Sequence, residues 1–272
     1  GGVSPQAITQ GQAVNKVAQE QFVRTTAPEI NTMGNDGRDV ASIRRQQLGI
    51  VSSNPSILNI YNGTGDTYDR ARNVISKLLT GSYNENNSGD FYKDVKATGL
   101  NESERGAIEA MWNLNSSINS KTLKANAGAG AVSNADMKAN KEANLGNFTE
   151  TTPLGALQVL NRSKFTGDMA AAKAAYLAAN PGLNDDTKFN SAWTKESAKY
   201  TKAYEGIADA RADFSKPFRP PQGASKEQLD MFKDKVFKSF EMYPVPAFDS
   251  ETGKWTYGTA NAERAAARKL LG

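Results

Sequence analysis

The stretch Trp193–Phe214, WTKESAKYTKAYEGIADARADF, decides the fold class, because bulky apolar residues recur along it every seven positions. The repeat is carried by Trp193, Tyr200, Ile207 and Phe214. Tyr204 lies one helical turn after the second of these residues. This spacing places the side chains on one face of a helix, so it predicts a long helix with one apolar seam. Ser197 and Arg211 interrupt the second seam position, which favours packing in a helical bundle over an intermolecular coiled coil.

Further helix starts are marked by capping residues. They are Asp66, the capping-box pairs Asn101 with Glu104 and Ser225 with Gln228, and Thr152 before Pro153. In a capping box, the side chain of each of the two residues accepts a hydrogen bond from the backbone N–H of the other at the helix start. Proline suits the first turn because its missing N–H would have no partner there. Gly81 is placed to end the helix that begins near Asp66 in a left-handed turn.

The C-terminal part combines helices with a short extended segment. The pattern of segment 242–258 predicts extended chain and a small hairpin in which Phe248 faces Trp255. A short helix is predicted over Ala260–Leu271. The Ala- and Gly-rich run 126–131 predicts a boundary near residue 130. We therefore expect a mostly α multi-helix bundle, divided into an N-terminal helical region, 1–130, and a C-terminal helical region, 131–272.

Composition excludes several kinds of chemistry. The 272 residues include no Cys and no His, which removes disulfides, Ser-His-Asp and Cys-His nucleophiles and the usual zinc sites. The net charge of +4 comes from interspersed signs, so DNA contact is possible but unsupported by the charge pattern. The Arg44–Arg45 doublet is typical of a solvated helix face. No apolar run reaches the roughly 18 residues of a membrane span, so no stable span is expected.

Two groups of carboxylates could suit a site, but each has a simpler interpretation. Glu102, Glu104 and Glu109 would suit a peptidoglycan hydrolase, although the first two also fit helix capping and the helix dipole. Asp185 and Asp186 could bind a hard cation, whereas a helix start explains them without a metal. The sequence therefore predicts no catalytic residue, no cofactor and no metal.

Three segments between residues 151 and 193 carry a family resemblance. They are Thr151–Phe165 (TTPLGALQVLNRSKF), Ala175–Gly182 (AYLAANPG) and Phe189–Trp193 (FNSAW). Together they resemble the helical structural proteins of tailed bacteriophages, in which a helix after a Thr-Pro pair precedes a Tyr-Leu…Asn-Pro-Gly turn and a Phe-x-x-Ala-Trp helix. The resemblance covers roughly residues 132–215 and includes no catalytic motif, so it implies no active-site residue.

The resemblance implies a non-enzymatic virion structural protein of the internal or DNA-ejection type. Such a protein would assemble in the host cytoplasm in several copies along the portal–tail axis, with portal or tail components as partners. It would reside in the virion and help to deliver the genome through the host envelope. The candidate subunit or partner contacts are Trp193, Tyr200, Tyr204, Ile207, Phe214, Phe248, Trp255 and Tyr257, together with the Ala-rich run Met169–Ala179.

Two other functions are also compatible with the sequence. The chain could be a helical adaptor or scaffold that binds a protein partner through the aromatic residues and prolines of segment 242–258. It could also be a peptidoglycan hydrolase, in which case Glu102, Glu104 or Glu109 would act on the glycan.

Overall fold

The computed structural model describes residues 15–83, 87–116, 153–212, 225–228, 230–231 and 245–258. Helical residues 15–21 lead through a π-helical segment, Phe22–Thr26, into the first long helix. The α-helices are α1 (Ala27–Ser53), α2 (Pro55–Asn62), α3 (Asp66–Leu79), α4 (Ser88–Ala97), α5 (Glu102–Ser116), α6 (Pro153–Ala179) and α7 (Asp186–Ala212). An antiparallel hairpin, β1 (Val245–Asp249) and β2 (Lys254–Gly258), follows them. The prediction of a mostly α fold with a small C-terminal hairpin is confirmed.

Some predicted features lie outside the described residues. They are the boundary near residue 130, Phe214, most of the helix that follows Ser225, and the terminal helix over Ala260–Leu271. The start of the helix after Ser225 is described. There the backbone N–H of Ser225 donates to Gln228 Oε1 at 2.9 Å, and the N–H of Gln228 donates to Ser225 Oγ at 3.2 Å. This capping box is confirmed.

Helices α1 and α6 approach each other closely because glycines lie where they meet. A Cβ atom added to Gly37 would lie 2.6 Å from the carbonyl oxygen of Gly167 and 2.7 Å from the Cβ of Ala170. A Cβ atom added to Gly34 would overlap the Cβ of Ala174. Small side chains shorten the distance between helix axes. The buried face of the Ala-rich run Met169–Ala179 therefore packs on α1 of the same chain, and only its exposed side is left to meet another subunit.

The largest hydrophobic core joins helices from both of the predicted regions. Its members include Ile57, Ile75, Leu78, Ile108, Met111 and Trp112 from the N-terminal region, with Ala156, Leu157 and Leu160 from the start of α6. Phe91 stacks on Trp112 with ring centroids 4.6 Å apart and an angle of 16° between the rings. Within the described residues, the regions before and after residue 130 therefore share one core.

Local capping signals determine several helix ends. The N–H of Glu104 donates to Asn101 Oδ1 at 2.9 Å and the N–H of Asn101 donates to Glu104 Oε2 at 3.3 Å, which confirms the capping box of α5. Helix α6 begins at Pro153, as predicted. Gly81 has a φ of 71° just after α3, as predicted for a left-handed turn. Asp66 is the first residue of α3 and not its cap, so that prediction was wrong by one residue; its carboxylate still lies where the helix dipole favours an anion.

Arg44 is buried between α1, α5 and α6, so the interpretation of the Arg44–Arg45 doublet as a solvated face was wrong for this residue. Its guanidinium donates to Ser163 Oγ at 2.8 Å, to Gln47 Oε1 at 2.6 Å and to Asn115 Oδ1 at 2.7 Å. These partners are neutral, and burial lowers the pKa of Arg44 to about 10. The buried cation is thus held by hydrogen bonds that link three helices.

The hairpin has the register predicted from the sequence. Phe248 pairs with Trp255 across the two strands, and Pro246 pairs with Tyr257. An isolated two-stranded hairpin is marginally stable in water. Phe248 contacts Ala171 and Ala172 of α6, so packing on the helices holds the hairpin in place.

Candidate functional site

Aromatic side chains from α6, α7 and the hairpin form one cluster. Tyr200 stacks on Trp255 with centroids 4.1 Å apart and an angle of 18°, and Tyr204 stacks on Phe165 at 4.2 Å and 7°. Trp255 also meets Phe248 at 5.5 Å and Phe165 at 5.8 Å. The aromatic seam of α7 therefore packs against α6 and the hairpin of its own chain.

The structure locates most of the residues that the sequence selected. Trp193, Tyr200 and Tyr204 lie on α7, which confirms a long helix, and Trp193 meets Tyr176 of α6 at 5.6 Å. Ile207 lies within α7 and Tyr257 within β2, but their side chains are outside the described part, as is all of Phe214. The seam makes contacts inside the bundle, so its buried members stabilise the fold. A contact of this seam with another subunit stays a prediction.

An open groove of about 740 Å³ lies between α6, α7 and the hairpin. We call it the aromatic groove; its lining includes Ala175, Tyr176, Ala179, Trp193, Tyr200 and Trp255. Tyr200 is buried, whereas Trp193 and Trp255 are partly exposed. The aromatic groove thus presents ring surface to the outside between helices that the core holds in place.

One ion pair and one separate lysine lie at the rim of the aromatic groove. Lys199 Nζ lies 2.7 Å from Glu196 Oε1 and 4.7 Å from the centre of the Tyr200 ring. The hydrogen bond to Glu196, followed by that to Tyr200, raises the pKa of Lys199 above its ordinary value. Lys254 of β2 is exposed at the same rim. Because Glu196 pairs with Lys199, the charge of Lys254 leaves the rim weakly basic. The aromatic lining would bind a partner mainly by burying ring surface.

The carboxylates considered for catalysis or metal binding either have structural roles or do not form a cluster among the described residues. Glu104 is buried, with one oxygen bound to the Asn59 side-chain amide and the other to the Asn101 N–H. Glu102 is exposed and Glu109 is partly exposed on the same helix, α5. The Oδ1 atom of Asp185 accepts the N–H of Lys188 at 2.8 Å at the start of α7, which supports the helix-start interpretation. Among the described residues, no three carboxylates are placed to hold a metal ion together.

Sequence reasoning did not select the α6 side of the aromatic cluster. Phe165 and Tyr176 are eleven residues apart, close to three helical turns, and lie among the alanines of one helix face. That spacing could have identified them as a second seam. Which helix would meet them depends on tertiary packing and is absent from the local pattern.

Comparison with known proteins identifies no relative: no family model, curated protein or solved structure matches the chain. In the part of the chain that the structure describes, no helix combines the length and apolar character needed to cross a bilayer.

Proposed function

We propose that the chain is a non-enzymatic virion structural protein of a tailed bacteriophage, of the internal or DNA-ejection type. It assembles with further copies of itself and with portal or tail components, and it assists genome delivery through the host envelope. The observation that carries this proposal is the aromatic groove, where Trp193 and Trp255 are partly exposed. We propose this groove as the contact between subunits.

The composition of the groove supports a protein contact. Tryptophan and tyrosine provide most of the binding energy in many interfaces, because they bury a large area with few rotatable bonds. Trp193 and Tyr176 lie in the segments that resemble phage structural proteins. The groove and the resemblance therefore involve the same part of the chain.

A matched pair of alanine substitutions tests the groove as a subunit contact. Ala178 and Ala179 are adjacent and exposed near the end of α6, and only Ala179 lines the groove. An arginine at either position suits the C-terminal end of a helix, so both variants should fold alike. We expect Ala179→Arg to lower the mass of the assembly in sedimentation velocity and Ala178→Arg to leave it unchanged. Equal masses for the two variants would contradict the proposed contact.

The adaptor function receives less support from the geometry. Phe248, one of its proposed anchors, is 6% exposed and packs on α6. A partner could use this ring only after the hairpin had left the helices. A partner that binds in the aromatic groove leaves the hairpin packed on the helices, so this contact needs no such rearrangement.

The hydrolase function is tested with purified peptidoglycan. We expect no fall in turbidity, because both oxygens of Glu104 are engaged in hydrogen bonds. Clearing by the wild type that Glu102→Gln, Glu104→Gln or Glu109→Gln abolishes, while the variant stays folded, would support a hydrolase instead.

A further inference from the structure

A second pocket, polar and about 270 Å³ in volume, lies where α1, α6 and the hairpin turn meet. We call it the polar pocket. Its polar lining includes Arg38, Ser42 and Arg45 of α1, Asp168 of α6 and Ser250 of the turn. It is more enclosed than the aromatic groove.

Hydrogen-bond donors are concentrated on the α1 side of the polar pocket. Arg38, Ser42 and Arg45 are spaced four and three residues apart, which places them along one face of the helix. One N–H group of the Arg38 guanidinium donates a hydrogen bond to Asn35 Oδ1. Across the described ranges, no hydrogen bond or ion pair engages the side chains of Ser42, Arg45 or Ser250. Arg45 acts on Asp168 and Asp249 only through longer-range electrostatics, so its N–H groups and the two hydroxyl groups can still donate to a ligand.

The carboxylate at the base of the polar pocket is compensated by the protein itself. Asp168 is 2% exposed, and Lys164 Nζ lies 2.7 Å from its Oδ2 atom. Burial raises the pKa of Asp168, while Lys164, Arg45 and the backbone N–H of Phe248 act in the opposite direction. Asp39 adds a second carboxylate to the lining, against the two guanidinium groups of Arg38 and Arg45, and Asp249 also interacts electrostatically with Arg45. An anion that enters would therefore be held by the directed N–H and O–H donors of the pocket and not by an excess of positive charge.

We propose that the polar pocket binds a small tetrahedral oxyanion of the phosphate class, either inorganic phosphate or a phosphate monoester. Arginine forks match the oxygen geometry of phosphate, and the hydroxyl groups of Ser42 and Ser250 supply further donors. A pocket of about 270 Å³ accommodates one phosphate group with a small substituent. This binding does not depend on the proposed virion role.

Calorimetric titration with inorganic phosphate, at constant ionic strength set by chloride, tests the site. We compare the wild type with Arg45→Gln and with Arg24→Gln, which removes the same charge from an exposed position outside the pocket. Saturable binding should persist in Arg24→Gln and weaken at least about tenfold in Arg45→Gln, as expected for losing a charge-assisted hydrogen bond. Equal affinity losses in the two variants, or no saturable binding to the wild type, would overturn the proposal.

Two further ligands separate the sources of the phosphate group. Glycerol 1-phosphate should compete with inorganic phosphate, since it presents a terminal dianionic group. A short oligothymidylate without a terminal phosphate should not compete, because each of its phosphates is flanked by two sugars. Binding of the oligonucleotide that depends on Arg45, without binding of inorganic phosphate, would overturn the assignment to a small oxyanion. Far-UV circular dichroism of each variant establishes that it is folded.

Discussion

Substituting Gly37 by alanine perturbs the contact between α1 and α6 at a point where the backbone itself is the neighbour. The new Cβ would lie 2.6 Å from the carbonyl oxygen of Gly167, well inside ordinary contact distance. Because that oxygen belongs to the main chain of α6, it can move only if the helix shifts. Ala170 Cβ, at 2.7 Å, blocks the alternative direction.

The expected magnitude is the difference between two opposing terms. Overpacking a close contact costs about 1–3 kcal/mol, and a backbone neighbour favours the upper part of that range. Alanine in place of glycine inside a helix contributes about 1 kcal/mol in the other direction. We therefore expect Gly37→Ala to lower the free energy of unfolding by about 1–2 kcal/mol.

Gly49 provides the control within the same helix. A Cβ atom added there meets nothing within 4 Å, so Gly49→Ala should raise the free energy of unfolding by about 0.5–1 kcal/mol. Urea denaturation followed by far-UV circular dichroism measures both variants. If Gly37→Ala were stabilised as much as Gly49→Ala, the close packing of α1 on α6 would be refuted.

Three other substitutions test separate parts of the account by urea denaturation. Asn101→Ala should lower the free energy of unfolding by about 1 kcal/mol, because the start of α5 loses its side-chain acceptor; no change would exclude the capping box. Arg44→Met should cost about 2–4 kcal/mol, since buried oxygens would lose their donors; a neutral result would show that the polar network can be replaced by apolar packing. Hydrogen bonds from Tyr83 and then Lys77 hold the pKa of Asp94 below 3.8. This contribution is present above the unfolded-state pKa and lost as the pH falls through the lower folded-state pKa, so Asp94→Asn should cost up to about 1 kcal/mol at neutral pH and nothing in stronger acid. A deficit that persists in stronger acid would assign the effect to packing.

Features governed by neighbours within a few residues could be predicted from the sequence. The capping box of Asn101 and Glu104 depends on groups three residues apart, and Phe248 faces Trp255 because the turn sets the hairpin register. The long helix through Trp193 follows from spacing alone. In each case the residues that interact lie close together in the sequence, so a local pattern contains the information needed.

The contact between α1 and α6 could not be predicted in this way. Gly37 and Gly167 lie 130 residues apart in the sequence. Helix propensity alone identifies a glycine inside a helix only as a weak helix former. Only the pairing of the two helices reveals why a side chain is excluded there. The aromatic groove has the same limitation, because Tyr176 and Trp193 meet only through the packing of α6 on α7.

Arg44 and Arg45 show how a step of one residue along a helix separates two like side chains. Successive residues on a helix are about 100° apart, so Arg45 reaches the outside while Arg44 enters the interior. The sequence contains the doublet but not the positions of Ser163 and Asn115, which accept its hydrogen bonds. Buried polar networks depend on partners that the local pattern does not specify.

The molar mass of the wild-type chain, measured by light scattering at low and at high salt, tests the central claim most directly. Assembly through the aromatic groove depends mainly on apolar contacts, which salt does not screen. We predict one discrete oligomer of the same mass at both salt concentrations. A monomer at both concentrations would contradict self-assembly through the groove, and an oligomer that dissociates in high salt would show that charged surfaces hold it together instead.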